Sequence, residues 1–91
     1  MTTIIGKGVE DLVKWVKECV DAGGVPLITT KYAGRRFEYE GKPAVVVRCW
    51  GAGERVKGGM IYDIPEELIE KFEKYIGDYK WLLREYKQYL K

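Results

Sequence analysis

The chain has 91 residues, 46% of them hydrophobic, which describes one domain with a modest core that gains from a partner or a cross-link. It carries 16 basic and 14 acidic side chains for a net charge of +2, so its composition as a whole does not announce a nucleic-acid binder. There is no His, no Ser and no Asn, and Gln88 is the single Gln, which excludes histidine acid–base catalysis, serine nucleophiles, histidine metal sites and N-glycosylation.

In chain order, residues 1–5 read as a short edge strand, with Gly6, Lys7 and Gly8 as a flexible turn. Residues 9–22 form the first helix. Val9, Leu12, Val13, Val16, Cys19 and Val20 share one face, Glu10 and Asp11 complement the positive end, and Gly23-Gly24 stop it. Trp15 falls at the margin of that face. Residues 25–32, rich in β-branched and aromatic side chains and with Pro26 confined to the beginning, are expected to be a strand.

Residues 35–39 and 43–50 then form a hairpin around Glu40, Gly41 and Lys42. A three-residue loop places Phe37 opposite Val45 and Tyr39 opposite Pro43, which separates apolar from charged side chains. Phe37, Tyr39, Val45, Val47 and Cys49 would then face the helices, while Arg36, Glu38, Ala44, Val46, Arg48 and Trp50 face away. Cys49 and Cys19 both point inwards on this reading, so a disulfide between them is permitted; two cysteines this far apart do not make a zinc site. Residues 51–59 are a glycine-rich loop with two cations, Arg55 and Lys57. It lacks the Lys-Ser/Thr ending of a P-loop, and a mobile connection is its plainer account. Residues 60–62 are a last short strand.

The longest helical pattern fills residues 65–91. Asp63 is expected as its N-cap, with Pro65 in the first turn and Glu66 and Glu67 near the positive end of the dipole. Leu68, Phe72, Tyr75, Tyr79, Leu82, Tyr86 and Tyr89 alternate four and three apart, beside a second column of Ile69, Ile76, Leu83 and Leu90. An uninterrupted helix would be roughly 40 Å long, whereas a compact chain of this size is about 30 Å across. Either the helix runs on past Gly77 and residues 78–91 project to meet a partner, the expectation adopted here because the apolar phase is kept, or it kinks at Gly77 and folds back. Trp81 lies opposite the stripe and is expected at the surface or under another subunit.

The expected fold is therefore α+β: a single-domain two-layer sandwich of a helix, a three- to four-stranded antiparallel sheet, and a long C-terminal helix. The element order is shared with double-stranded-RNA-binding domains, but the last helix opens Pro65-Glu66-Glu67, acidic where such a domain needs Lys, and no residue is carried over. Few amides and 33% charged residues match the thermophile pattern, and in general make-up the chain resembles small proteins of hyperthermophilic archaea and their viruses. No run approaches the ~20 apolar residues of a membrane span and the N-terminus is unlike a signal peptide, so an intracellular protein is expected.

The expected function is non-enzymatic self-association, most simply as a homodimer, through Trp81, Leu82, Leu83, Tyr86, Tyr89 and Leu90. The alternative is nucleic-acid binding. Residues 31–57 hold seven basic side chains against three acidic, while the flanking segments are each net −1. Arg35, Arg36, Arg48, Trp50, Arg55 and Lys57 would then bind, a Trp stacking on a base and guanidinium groups meeting phosphates. No motif implies a cofactor, a metal or a small-molecule ligand.

Overall fold

The computed structural model describes residues 4–53 and 58–90. Its strands are β1 (Ile4–Lys7), β2 (Val25–Thr29), β3 (Lys31–Tyr32), β4 (Arg35–Arg36), β5 (Glu38–Tyr39), β6 (Lys42–Trp50) and β7 (Gly59–Tyr62). The helices are α1 (Gly8–Asp21), α2 (Glu66–Lys74) and α3 (Lys80–Glu85), with a 3-10 turn at Lys87–Tyr89. The fold is α+β, with a sheet ordered β1-β7-β6-β2 and β5 also paired to β6; β3 and β4 form a separate two-stranded ribbon.

The sheet is mixed, which corrects the expectation of an antiparallel one: β1 runs parallel to β7, with Ile4 beside Gly59 and Lys7 beside Tyr62. Chain connectivity supplies the reason. The chain leaves β1 straight into α1 at Gly8, so β1 has no hairpin partner and takes the free edge of β7. Asp11 accepts a hydrogen bond from the Lys7 N–H at 2.8 Å across this junction. The other end of α1 closes at Gly23, whose φ of 83° allows the Gly24 N–H to reach back to the Cys19 carbonyl at 2.9 Å.

Strand parity sets which side chains meet the helices. Pro26 and Ile28 of β2, Val45, Val47 and Cys49 of β6 and Ile61 of β7 share the inner face by their pairing. The core joins Leu12, Val13 and Val16 of α1 to Val45, Val47, Ile61 and Ile64, then to Leu68, Ile69 and Phe72 of α2 and Trp81 and Leu82 of α3. Cys19 and Cys49 are joined by a disulfide with Cα atoms 5.6 Å apart, which ties the end of α1 to the end of β6. Gly24 lies against both sulfurs, and a Cβ there would overlap Cys49 Sγ.

The β5–β6 hairpin differs from expectation by one residue. Its loop is Glu40-Gly41, both at positive φ (53° and 76°), and Tyr39 pairs with Lys42 and Glu38 with Pro43. Such a two-residue turn has the right-handed twist of the strands it joins. A slip of one residue reverses every side chain. Tyr39 consequently sits on the outer face against Tyr62, ring centroids 4.9 Å apart, and neither Phe37 nor Tyr39 belongs to the core.

The C-terminal stretch is not one long helix. α2 ends at Lys74, Gly77 takes φ 81°, and α3 begins at Lys80, so the chain folds back within an envelope of 32 × 31 × 21 Å. The reason is Trp81. Its ring packs on Phe72 at 4.9 Å, its Nε1–H donates to the Asp78 carbonyl at 3.0 Å, and Lys71 Nζ lies 4.9 Å from the ring centroid. A heptad pattern that keeps phase across Gly77 is produced equally by a second helix returning onto the same core. Lys71 also bonds Glu85 at 2.6 Å across the bend, and that bond raises the Lys71 pKa. Asp63 is not the cap either: Pro65 occupies that position, its carbonyl accepting from Leu68 and Ile69, while Asp63 has φ 64° and lies 3.9 Å from Lys42 Nζ.

Candidate nucleic-acid interface

All helices pack on one face of the sheet, and the other face has no covering layer among the described residues. The pairing arranges its side chains in rows. Val25 of β2 lies opposite Trp50 of β6, and Leu27 lies opposite Arg48. Thr29, Val46, Met60 and Ile5 make a row across four strands; Ala44, Tyr62 and Lys7 make the next. Trp50 is 70% exposed, and Ile5, Val25 and Leu27 are each more than 40% exposed. Isolated apolar residues on a surface are ordinary, but four share this open face, Val25 and Trp50 as a cross-strand pair.

The register positions of this face carry charge of one sign, and at its margin Lys42 meets Asp63 at 3.9 Å. Lys7 and Arg48 are exposed and no register position on it carries a carboxylate. Nine of the fourteen acidic residues lie in the other layer, on α1, α2 and α3. Lys7 Nζ stands 5.9 Å from the Tyr62 ring, and Arg48 forms no ion pair with a described residue.

The residues expected to bind are thus divided by the fold. Arg48 and Trp50 stand on the open face, as the alternation of β6 implies. Arg36 does not, which corrects its assignment. Its guanidinium reaches α2, donating to Glu73 at 2.8 and 3.2 Å and to Glu66. The ribbon of β3 and β4 turns independently of the hairpin after it, so Arg36 does not share the parity of β6. The hydrogen bonds Arg36 donates to Glu73 and then to Glu66 raise its pKa, and Arg36 in return holds the Glu73 carboxyl below its ordinary value. Lys31 Nζ at 3.5 Å and the Thr30 hydroxyl at 3.4 Å complete the cluster around Glu73. Arg35 is exposed on the ribbon, whereas Arg55 and Lys57 lie outside the described residues.

The residues expected at an oligomer interface are also placed. Trp81 and Leu82 are buried inside their own chain, at 4% and 0% exposure, so the surface position expected of Trp81 is overturned. Leu83, Tyr86, Tyr89 and Leu90 are half-buried and pack against the same core.

Sequence reasoning missed Ile5, Val25, Leu27 and Lys7 as members of the open face. No local signal marked Val25 and Leu27: Pro26 confines the strand's beginning, but the inner parity of Pro26 and Ile28 is set by the pairing with Cys49 and Val47. Among the described residues no group of three or more His, Cys, Asp or Glu is placed to hold a metal ion, and no helix is long and apolar enough to cross a membrane. No family model, curated protein or solved structure matches this chain.

Proposed function

We propose that this chain is a non-catalytic binding module whose open sheet face takes single-stranded nucleic acid. One observation carries the reading: an exposed Trp50 stands one strand period from an exposed Arg48 that makes no ion pair with a described residue, on a face whose register positions carry no carboxylate, in a molecule with nine of its fourteen acids on the opposite layer. Every base has a face that can stack on an indole, worth about 1–3 kcal/mol per base, and the cations then need only follow the phosphates. The chemistry is sequence-tolerant, because stacking and charge read no base edge.

Fluorescence anisotropy with labelled single- and double-stranded oligonucleotides, at two salt concentrations, tests it. Binding of the single strand should weaken with salt, and Trp50→Ala and Arg48→Ala should each weaken it by about five-fold or more. Absence of binding at low salt, or affinity unchanged in both variants, rejects the reading.

The row of Ile5, Met60 and Val46, with the exposed Leu27 two residues along β2 from the end of that row, supports a second reading, in which two copies associate as a homodimer. The sheet face is a better seat for that contact than the C-terminal segment, whose largest side chains are spent on the chain's own core. Light scattering across a range of concentrations distinguishes the two, since an apolar contact is insensitive to salt and a monomer at every concentration sinks it. In either reading the chain fits a thermophile, where a disulfide remains credible inside a cell.

A further inference from the structure

The β3–β4 ribbon is an outgrowth of the sheet edge. One residue, Thr30, separates it from β2, and one residue, Phe37, separates it from β5. Its turn is Ala33-Gly34, both at positive φ (53° and 81°), the tight two-residue form that holds two strands in register. The register gives two cross-strand pairs, Lys31 with Arg36 and Tyr32 with Arg35. Neighbouring pairs point to opposite faces of a ribbon. Lys31 and Arg36 turn to α2, where both meet Glu73 and Arg36 also meets Glu66.

Tyr32 and Arg35 consequently turn away from the helical layer. Tyr32 is 76% exposed, and Arg35 is exposed and makes no ion pair with a described residue. An aromatic ring and a guanidinium without an ion pair to a described residue, side by side on a ribbon clamped from behind by ion pairs, repeat the pair formed by Trp50 and Arg48. An isolated two-stranded ribbon is marginal in water, and the contacts to Glu73 hold this one in a single orientation.

We propose that the ribbon is a second contact element for a single-stranded nucleic acid, Tyr32 stacking on a base and Arg35 meeting a phosphate. This rests on the reading of the open face given above and extends it. Trp50 pairs with Val25 at the start of β2, and Tyr32 lies seven residues beyond Val25, so chain length limits the separation along β2 to about 25 Å. An oligonucleotide too short to span that separation reaches only one of the two pairs, and a longer one reaches both. Charge selects the occupant. Trp50–Arg48 and Tyr32–Arg35 both combine a π-face with a cation, which suits a polyanion of bases and not an acidic peptide lacking rings to stack.

The test compares oligothymidylates of roughly 4 and 12 nucleotides, within the range of site sizes such folds show. Anisotropy is measured for the intact chain and for Tyr32→Ala, Arg35→Ala and Trp50→Ala. Both ribbon substitutions are at exposed positions, and circular dichroism confirms that each variant is folded. The expected result is that Tyr32→Ala and Arg35→Ala weaken the longer oligonucleotide by about five-fold or more and leave the shorter unchanged, while Trp50→Ala weakens both. If Trp50→Ala weakens the longer oligonucleotide and the ribbon variants do not, the ribbon proposal fails and the reading of the sheet face stands. If the intact chain binds neither oligonucleotide, or prefers a duplex of the same length, both fail.

Discussion

Replacing Trp81 by Ala is the most direct test of the folded-back C-terminus. The side chain is 4% exposed and packs on Phe72. A Trp buries about 200 Å², which at roughly 25 cal/mol per Å² is about 5 kcal/mol. The retained Cβ and partial collapse of the site return some of this, and measured Trp→Ala losses run about 3–5 kcal/mol. For a domain of this length each kcal/mol moves the melting temperature by about 4–8 °C, so a fall of roughly 15–30 °C is expected. Guanidinium and thermal unfolding followed by far-UV circular dichroism measure it. Trp81→Phe should recover part of the loss, because it keeps a ring against Phe72 while removing the donor to the Asp78 carbonyl. A loss below about 1 kcal/mol, the scale of a surface substitution, would mean that α3 does not close the core, and would restore the projecting helix.

Two further outcomes follow from the cross-links. Reducing the Cys19–Cys49 bond frees a loop of 30 residues, and the chain-entropy relation puts the cost near 3.5 kcal/mol; urea midpoints with and without dithiothreitol check this, and coincident curves would refute it. The second concerns acid. Arg36 holds the folded Glu73 carboxyl below its ordinary 4.5, so the contribution of Glu73 is complete above that pH and is lost as the pH falls below it. Unfolding profiles of the intact chain and Glu73→Gln, taken between about pH 3 and 7, should therefore differ most near neutrality and converge in acid. A constant gap across the range would remove the ion pair as its cause.

How much of this was legible depends on whether the deciding contact was local. α1 could be read because its apolar residues keep one period and its stop is written in Gly23-Gly24. The outward parity of Arg48 and Trp50 followed from Val45 and Val47 on the same strand. The hairpin register did not, because a turn with two left-handed residues is usually signalled by Asn-Gly or Asp-Gly, and here it is Glu40-Gly41. Arg36 was misplaced because the ribbon interrupts the sheet edge, and only the distant Glu66 and Glu73 reveal which way it turns. The bend at Gly77 was visible as a glycine, but the burial of Trp81 that decides it depends on Phe72 and α1 being assembled first. Net charge concealed the polarity, since +2 is the sum of an acidic layer and a face without acids.

The parallel pairing of β1 with β7 sets a timetable for synthesis. The strand at residues 4–7 leaves the ribosome long before residues 59–62, its sheet neighbour among the described residues, have been made. At roughly 5–20 residues per second the gap is about 3–10 seconds. For most of that interval Leu12, Val13 and Val16 of a finished α1 lack Val45 and Val47, and Ile61 arrives last. The sheet cannot close from its N-terminal end inward; β2, β5 and β6 can zip by local hairpins, and β1 must be captured last by an edge that already exists. The nascent chain thus spends seconds with a waiting strand and an uncovered helix face, the period in which it is most open to a chaperone or to its neighbours on the polysome.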